Sequence, residues 1–600
     1  MTLFILNFEF YLGRLMNKLP RLFFTFDSIQ NVLVFEVSNF NVILNKFENS
    51  QHLLYIVGNP IINKTINHKF IWEKINNKIT YETIKNIDGE FLIIHHDKNN
   101  KSINIYNDRF TSIPLFYLKY RNKFIGSVFY KDIKNFLEKN NDLKISKETV
   151  FEFLWLQRLI GEKTYDSYSK CLMSARHLIF SAGKINTYSY WNPSFKKSNL
   201  SINDSAHILK ELLSQSILKK TTDSKKNLGI FLSGGIDSRI ILSLFHSKID
   251  SYTIGVSHNN EVKIAEKIAK INNSKHSFIS LKDDPYSDSL DKVSQLSGGM
   301  HAFDHSIFYG LSDRISSPPD VFFHGHGMDY MFQGMYLLNE NIKFLGKKTS
   351  FKRLLGIEGK FSAEYLDKIS HRLRGVKLFD YIAKPLRSNM YDSLVYSVEE
   401  VCSKAEKFCE SSDDYWEYML IHSLCRHYPY TNLLSIGTIA EQRTITFDND
   451  VFDFYLSMNN KYRLDGRISK KLLSKINPML SKVPVANNNF MPYMSPLLKD
   501  ITRLKRYLGR KVNSSYLSGI EPHAEERTWP DRNRMYLHHK GLRKAALNLI
   551  NSNFLPSLDL FDMDLLSKDI KLFIDNPKNS AGSFITFLIS LDKFFSNERS

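Results

Sequence analysis

Cysteine is scarce: the chain has four among 600 residues, at 171, 402, 409 and 425. No two form a C-x-x-C pair and no histidines sit beside them at zinc spacing. That excludes a zinc knuckle and a disulfide-stapled scaffold, and it fits a reducing compartment. Long apolar runs are absent as well; none approaches the ~20 residues that a membrane helix needs. There is no low-complexity tract and no repeat of fixed period, which argues against solenoids and disordered tails. The opening stretch MTLFILNFEFYLGRLM is apolar but carries Glu9 and lacks a basic leader and a small-residue cleavage site. It reads as a first β-strand rather than a signal peptide, and a cytoplasmic location is expected.

What remains is a globular composition, 43% hydrophobic and 24% charged. The length exceeds what one core usually serves, so two or three domains are expected. The formal net charge is +19. No block of consecutive basic residues stands out in a chain loaded with Lys, Asn and Ile. The charge therefore reads as compositional drift, and no nucleic-acid partner is expected.

Residues 1–195 are mostly β in character, with runs at 53–58, 90–97, 102–108 and 123–129 separated by turn residues. A helix is expected over 148–159 and a hairpin around Ala182-Gly183. A polar, Ser-rich linker follows at 193–203. From 204 the period changes to helical, with Ser205 as the expected N-cap of a helix over 205–220. Strands at 228–232, 251–256, 276–281 and 320–325 then alternate with helices at 237–246 and 261–272. This alternation predicts an α/β fold with a mostly parallel, doubly wound sheet. Beyond 345 the chain reads as helical, with 501–600 as a C-terminal extension.

The first βα turn of this half is LSGGIDS, residues 232–238. Unpaired amides and the helix dipole make such a turn an anion site. Gly234 and Gly235 allow positive φ and close backbone approach. The turn is too short for a Walker A cradle and lacks its Lys, and the G-x-G-x-x-G fingerprint is absent. Asp237 stands where phosphate should lie, which makes sense if Mg²⁺ sits between the two.

Here the sequence resembles the asparagine synthetase family, whose members are PP-loop ATP pyrophosphatases with the signature S-G-G-x-D-S. Ser233, Gly234, Gly235, Asp237 and Ser238 match it. IDGEFLIIHHD (87–97), NDRFTSIPLFY (107–117), HGHGMDYMFQG (324–334), AEQRTITFDND (440–450) and DGRISKKLL (465–473) resemble further family segments in the right order. The resemblance implies a glutamine amidotransferase-like, Ntn-hydrolase-like β-sandwich at 1–195 and a PP-loop domain at 204–500. It implies ATP and Mg²⁺, an acyl-adenylate, and transfer to ammonia or an amine. By position, Leu232, Gly255 and Gly325 would border the nucleotide, Asp237 and Asp329 the metal, and Lys470 the phosphoryl oxygens. Glu261, Glu441 and Arg443 lie in flanking segments, as site residues or as structural ion pairs.

Two departures stand out. Glutamine-using members carry a cysteine after the initiator Met, whereas residue 2 here is Thr; no glutaminase activity is expected. The family's Glu in the metal segment is His326, a candidate general base, and the residue after the metal Asp is Tyr330. The expected function is an AMP-forming amide ligase acting on a small-molecule or peptide carboxylate. A macrolactam or β-lactam-type cyclase, a non-catalytic relative and a PP-loop RNA-modifying enzyme are the alternatives, and a homodimer stays open.

Overall fold

The computed structural model describes residues 19–76, 80–223, 226–281, 284–369, 376–428, 430–512, 532–577 and 581–596. The strand expected in 1–16, with Thr2, lies outside these residues.

The N-terminal half is built on two antiparallel sheets. One contains Arg21–Asp27, Val32–Ser38, Phe116–Tyr120, Lys123–Ser127 and Lys170–Cys171; the other contains Leu44–Glu48, His52–Ile62, Asp88–Asp97, Ser102–Asn107, Arg176–Ser181 and Lys184–Ser189. Side chains alternate across each strand, so each sheet has two faces to cover. Phe24, Phe26, Leu92, Ile94, Ile103, Ile105, Leu178 and Phe180 fill the space between the sheets. Ile93, Leu54 and Ile56 point the other way and are covered by Ile71 and Ile75 of the helix His68–Asn76. Phe23, Phe116 and Ile125 meet Tyr130, Ile133 and Leu137 of the helix Tyr130–Lys139. The expected sandwich is thus four layers, with helices outside both sheets.

The hairpin at Ala182-Gly183 is present, with both turn residues at positive φ. The helix after the linker spans Ile202–Lys220, and its N-cap is Ser201, whose hydroxyl accepts from the Asp204 amide. The expected cap, Ser205, instead lies inside the first turn.

The second half carries a five-stranded, wholly parallel sheet. Its spatial order is His276–Ser280, Asp250–Gly255, Leu228–Phe231, Val321–His324, Glu441–Thr444. Strand order reverses between Leu228–Phe231 and Val321–His324, which is where ligands sit in such sheets. The region after 345 is not purely helical. A hairpin, Asn339–Phe344 with Lys347–Leu354, precedes the helices, and the edge strand Glu441–Thr444 lies among them. The terminal helix Gly582–Ser596 buries Phe584, Phe587, Leu588 and Leu591 in the main core.

The two halves are joined through buried charge. The Lys219 ammonium donates to Asp88 at 2.9 Å, Asp448 at 2.8 Å and Asp450 at 2.9 Å. Lys219, Asp88 and Asp448 are all buried. Removing one partner of a buried ionic cluster leaves uncompensated charge. Lys219→Met is expected to destabilise the protein by about 3 kcal/mol or more. Asp450→Asn, at the exposed rim, should have little effect; comparing their denaturant unfolding midpoints checks this.

Candidate functional site

The LSGGIDS turn leaves the C-terminal end of Leu228–Phe231 and enters the helix Asp237–Leu244. Its polar groups fold inward on one another. The Ser233 amide donates to Ser238 Oγ at 3.0 Å, and the Gly235 amide donates to Ser233 Oγ at 3.2 Å. Neither Gly234 nor Gly235 has positive φ, contrary to the sequence expectation. Gly234 is needed for proximity: a Cβ there would lie 2.5 Å from the Ala486 methyl carbon.

Arg239, two residues into the helix, explains that proximity. It is fully buried and donates to five backbone carbonyls: Gly234 at 3.2 Å, Gly235 at 3.1 Å, Leu480 at 2.9 Å, Val483 at 2.7 Å and Pro484 at 3.0 Å. Burial without a carboxylate partner lowers its pKa to about 10. The Ala486 amide also donates to the Gly234 carbonyl at 3.1 Å. Sequence reasoning passed over Arg239, because a cation in the first turn of a helix gives no sign of partners some 240 positions away.

The neighbouring strand Val321–His324 ends at the same edge of the sheet and runs into Gly325. A Cβ at 325 would stand 2.8 Å from Asp237 Cβ, so the two turns touch here. Gly327, at φ +89°, opens the short helix Met328–Phe332 that carries Asp329. Burial, and then the charge of Asp329, push the Asp237 carboxyl well above the usual carboxylate range. Gln333 Nε2 donates to Asp237 Oδ1 at 2.6 Å. Among the described residues no group of three or more His, Cys, Asp or Glu is poised for a metal.

Lys470 lies on the helix Arg467–Ile476, which packs on Asp237–Leu244. Ser469 Oγ donates to the Phe332 carbonyl at 3.1 Å, tying this helix to the Asp329 segment. Lys470 Nζ contacts Asp465 at 2.6 Å and Lys499 contacts the same carboxylate at 3.2 Å. Burial, partly offset by Asp465, lowers the Lys470 pKa to about 8. Asp465 opens the DGRISKKLL segment without having been singled out there, and Lys499 is a neighbour that no sequence signal marked.

Other expected residues are placed differently. Glu441 opens its strand opposite Val321, at the end of the sheet away from the loop. It takes Lys226 at 2.6 Å, Arg443 at 2.6 Å and Asn59 at 2.6 Å, and Arg443 also grips Asp223. Both form ion pairs at the domain junction, the structural one of the two readings left open for them and away from the place expected of Glu441 as a catalytic residue. The Leu232 amide and carbonyl are engaged by Tyr252 and Thr253 within the sheet. Gly255 ends its strand with its carbonyl taken by the Leu281 amide. The Glu261 backbone lies against Gly234.

His326 is also changed by its surroundings. Burial and the neighbouring His324 lower its pKa to about 3, so the ring is neutral near pH 7 rather than titrating there. Its Nε2 is buried with no hydrogen-bond partner. Hydrogen bonds lead from His326 N to His324 Nδ1 at 3.3 Å, and link His324 Nε2 with Gln442 at 2.8 Å. Gln442 lines a cavity between the two halves of about 60 Å³, partly open to solvent, with Gly58, Asn59, Glu90, Tyr430 and Leu434. Burial raises Glu90 to about 7. No cysteine lines this cavity.

A half-buried acid pair and a lysine lie around a tight glycine turn at the switch point of a parallel sheet, the place where α/β proteins commonly receive nucleotides or phosphates. Residues 209–564 match the asparagine synthase family and residues 74–191 the glutamine amidotransferase domain. The chain belongs to the asparagine synthase family. It is 26% identical over 298 residues to a Methanocaldococcus jannaschii protein named "Putative asparagine synthetase (glutamine-hydrolyzing) 2", covering 47% of this chain and 57% of that one. It is 21% identical over 450 residues to asparagine synthetase (glutamine-hydrolyzing) 1 of Bacillus subtilis, covering 69% of each. The solved glutamine phosphoribosylpyrophosphate amidotransferase of B. subtilis matches 40% of this chain and 73% of its own, at 7% identity and a TM-score of 0.16, too low to carry an argument.

The contact between Gly234 and Ala486 is open to a direct test. Gly234→Ala is expected to weaken ATP binding at least about tenfold by forcing the loop off its support. Adding Ala486→Gly should restore most of it. Calorimetry of ATP with Mg²⁺ on the single and double variants measures both.

Proposed function

We propose that this chain is an ATP-dependent, AMP-forming carbon–nitrogen ligase that activates a carboxylate and passes it to ammonia or an amine. The observation that carries this is the meeting of three segments at one sheet edge: the Ser233–Ser238 turn, the Asp329 helix and the Lys470 helix. In this reading the loop amides and the hydroxyls of Ser233 and Ser238 receive the pyrophosphate portion of ATP. Residues 204–500 form the ligase unit, with 501–600 extending it.

Asp237 and Asp329 are the carboxylates that would hold Mg²⁺, with phosphate oxygens and water completing its shell. Two acids alone suit an ion that keeps several waters, and a cation relieves the repulsion that drives the Asp237 pKa up. Mg²⁺ would supply neutralisation of phosphate charge. The substrate carboxylate attacks the α-phosphorus, forming an acyl–O–P linkage as the bond to pyrophosphate breaks. Lys470, cationic and half-desolvated, stands to offset charge on the phosphoryl oxygens. The amine nitrogen then forms the C–N bond, the acyl bond to AMP breaks, and the amine gives up a proton. Neutral His326, with its open Nε2, suits acceptance of a hydrogen bond from that amine.

The relatives' names specify glutamine hydrolysis; here we propose that ammonia or an amine is taken directly. The cavity between the halves has no cysteine, and three of the four cysteines, Cys171, Cys409 and Cys425, are buried elsewhere. Glutamine is therefore expected to release no glutamate, whereas ammonium or an amine should support AMP formation. Sustained glutamate release by the purified full chain would overturn this part.

Labelled pyrophosphate exchange into ATP, screened over amino-acid and sugar-acid carboxylates, tests the activation step. Asp237→Asn should abolish it. Lys470 is cationic below its pKa of about 8, so exchange should hold steady below pH 8 and decline as pH rises through it. Lys470→Arg, charged throughout, should lose the alkaline decline even where the rate is lower.

A further inference from the structure

The helix Pro496–Val512 is mounted inside out. Leu497, Ile501, Leu504 and Leu508 follow one another at helical spacing and are 58%, 53%, 58% and 52% exposed. Several of its polar residues reach back to the protein. Asp500 accepts from the Ser350 amide at 2.9 Å, Arg503 donates to Ser350 Oγ at 2.7 Å, Arg506 donates to the Asn488 and Asn489 carbonyls at 3.1 Å, and Lys499 reaches Asp465. An amphipathic helix ordinarily buries its apolar stripe, so an outward one calls for a cover.

The hairpin tied to this helix through Ser350 repeats the pattern. Its turn reads Lys343-Phe344-Leu345-Gly346-Lys347-Lys348, with Phe344 69% and Leu345 87% exposed. Leu345 sits at φ 48°, a left-handed conformation unusual for a leucine, and makes the apolar tip. Beside these apolar side chains Lys343, Lys347, Lys348 and Lys505 are exposed, whereas Lys499, Arg503 and Arg506 reach the protein and Arg353 pairs with Glu340. A second copy of the chain would bring like charges together, on a protein of net charge +19. Nucleic acid would match the charge but not a leucine stripe. An anionic bilayer matches both, because lysines meet lipid phosphates while apolar side chains enter the headgroup–acyl boundary.

We propose that the hairpin tip Phe344–Leu345 and the outward face of Pro496–Val512 dock the protein on an anionic lipid surface. The docking is peripheral: no helix among the described residues is long and apolar enough to cross a membrane. The proposal stands independently of the ligase reading, although Lys499 places this face next to Lys470 and Asp465.

Flotation of the full chain with vesicles tests it. Vesicles of phosphatidylcholine with about 30% phosphatidylglycerol should carry the protein, with binding about tenfold weaker on pure phosphatidylcholine and reduced in ~0.5 M salt. Phe344→Ser with Leu345→Ser, and separately Ile501→Ser with Leu504→Ser, should each lower partition about tenfold. These side chains are exposed, so melting temperature and circular dichroism should not change. Absence of binding to the anionic vesicles would overturn the proposal, as would undiminished binding by both variants. A concentration-dependent dimer, or single-stranded RNA binding, that both variants abolish without any vesicle binding would assign the face to that partner instead.

Discussion

The Arg239 guanidinium holds the candidate site together. Its five hydrogen bonds end on the carbonyls of the glycine turn and of the 480–484 segment, and among the described residues no carboxylate pairs with it. A buried cation satisfied only by backbone dipoles imposes strict geometry, because every carbonyl lost leaves a donor desolvated. The chain that follows, Val485–Ala486, is thereby pressed onto Gly234, which is why that position has no room for a side chain. The shape of the anion-binding turn is set by a contact made far away in sequence, not by the glycines' freedom of φ.

Electrostatic tension is stored on either side of that turn. Burial and then the charge of Asp329 raise the cost of ionising Asp237, which Gln333 partly offsets by a hydrogen bond. On the facing helix Lys470 and Lys499 share the single carboxylate of Asp465. In the proposed reading a nucleotide with its cation meets both clusters, the cation at the acids and the phosphates at the lysines. The two ends of the chain support this through Lys219, whose buried acids come from both halves of the protein.

Much of this was legible in the sequence. Alternating strands and helices announced the parallel sheet, and the LSGGIDS turn was recognisable because a phosphate loop needs small residues and a helix start in a fixed order. Glu441 was misplaced because its motif position carries no information on which end of a four-residue strand faces the loop. The hairpin 339–354 was missed because both its faces are wet and Lys-rich, which erases the period-2 signal, and its turn is Leu-Gly rather than Asn-Gly. The pKa of His326 depends mainly on burial, which no local pattern encodes. The +19 charge, read at first as drift, gathers in part beside exposed apolar side chains once the chain is folded.

The central claim is that the diglycine turn receives phosphates with a cation between Asp237 and Asp329. The most direct measurement is a crystal structure with α,β-methylene-ATP and Mn²⁺, using the anomalous signal of the metal. The account predicts phosphate oxygens within hydrogen-bond reach of the turn, and a single metal peak contacting both aspartates. A triphosphate bound away from Ser233–Ser238, or a metal touching neither acid, would contradict it.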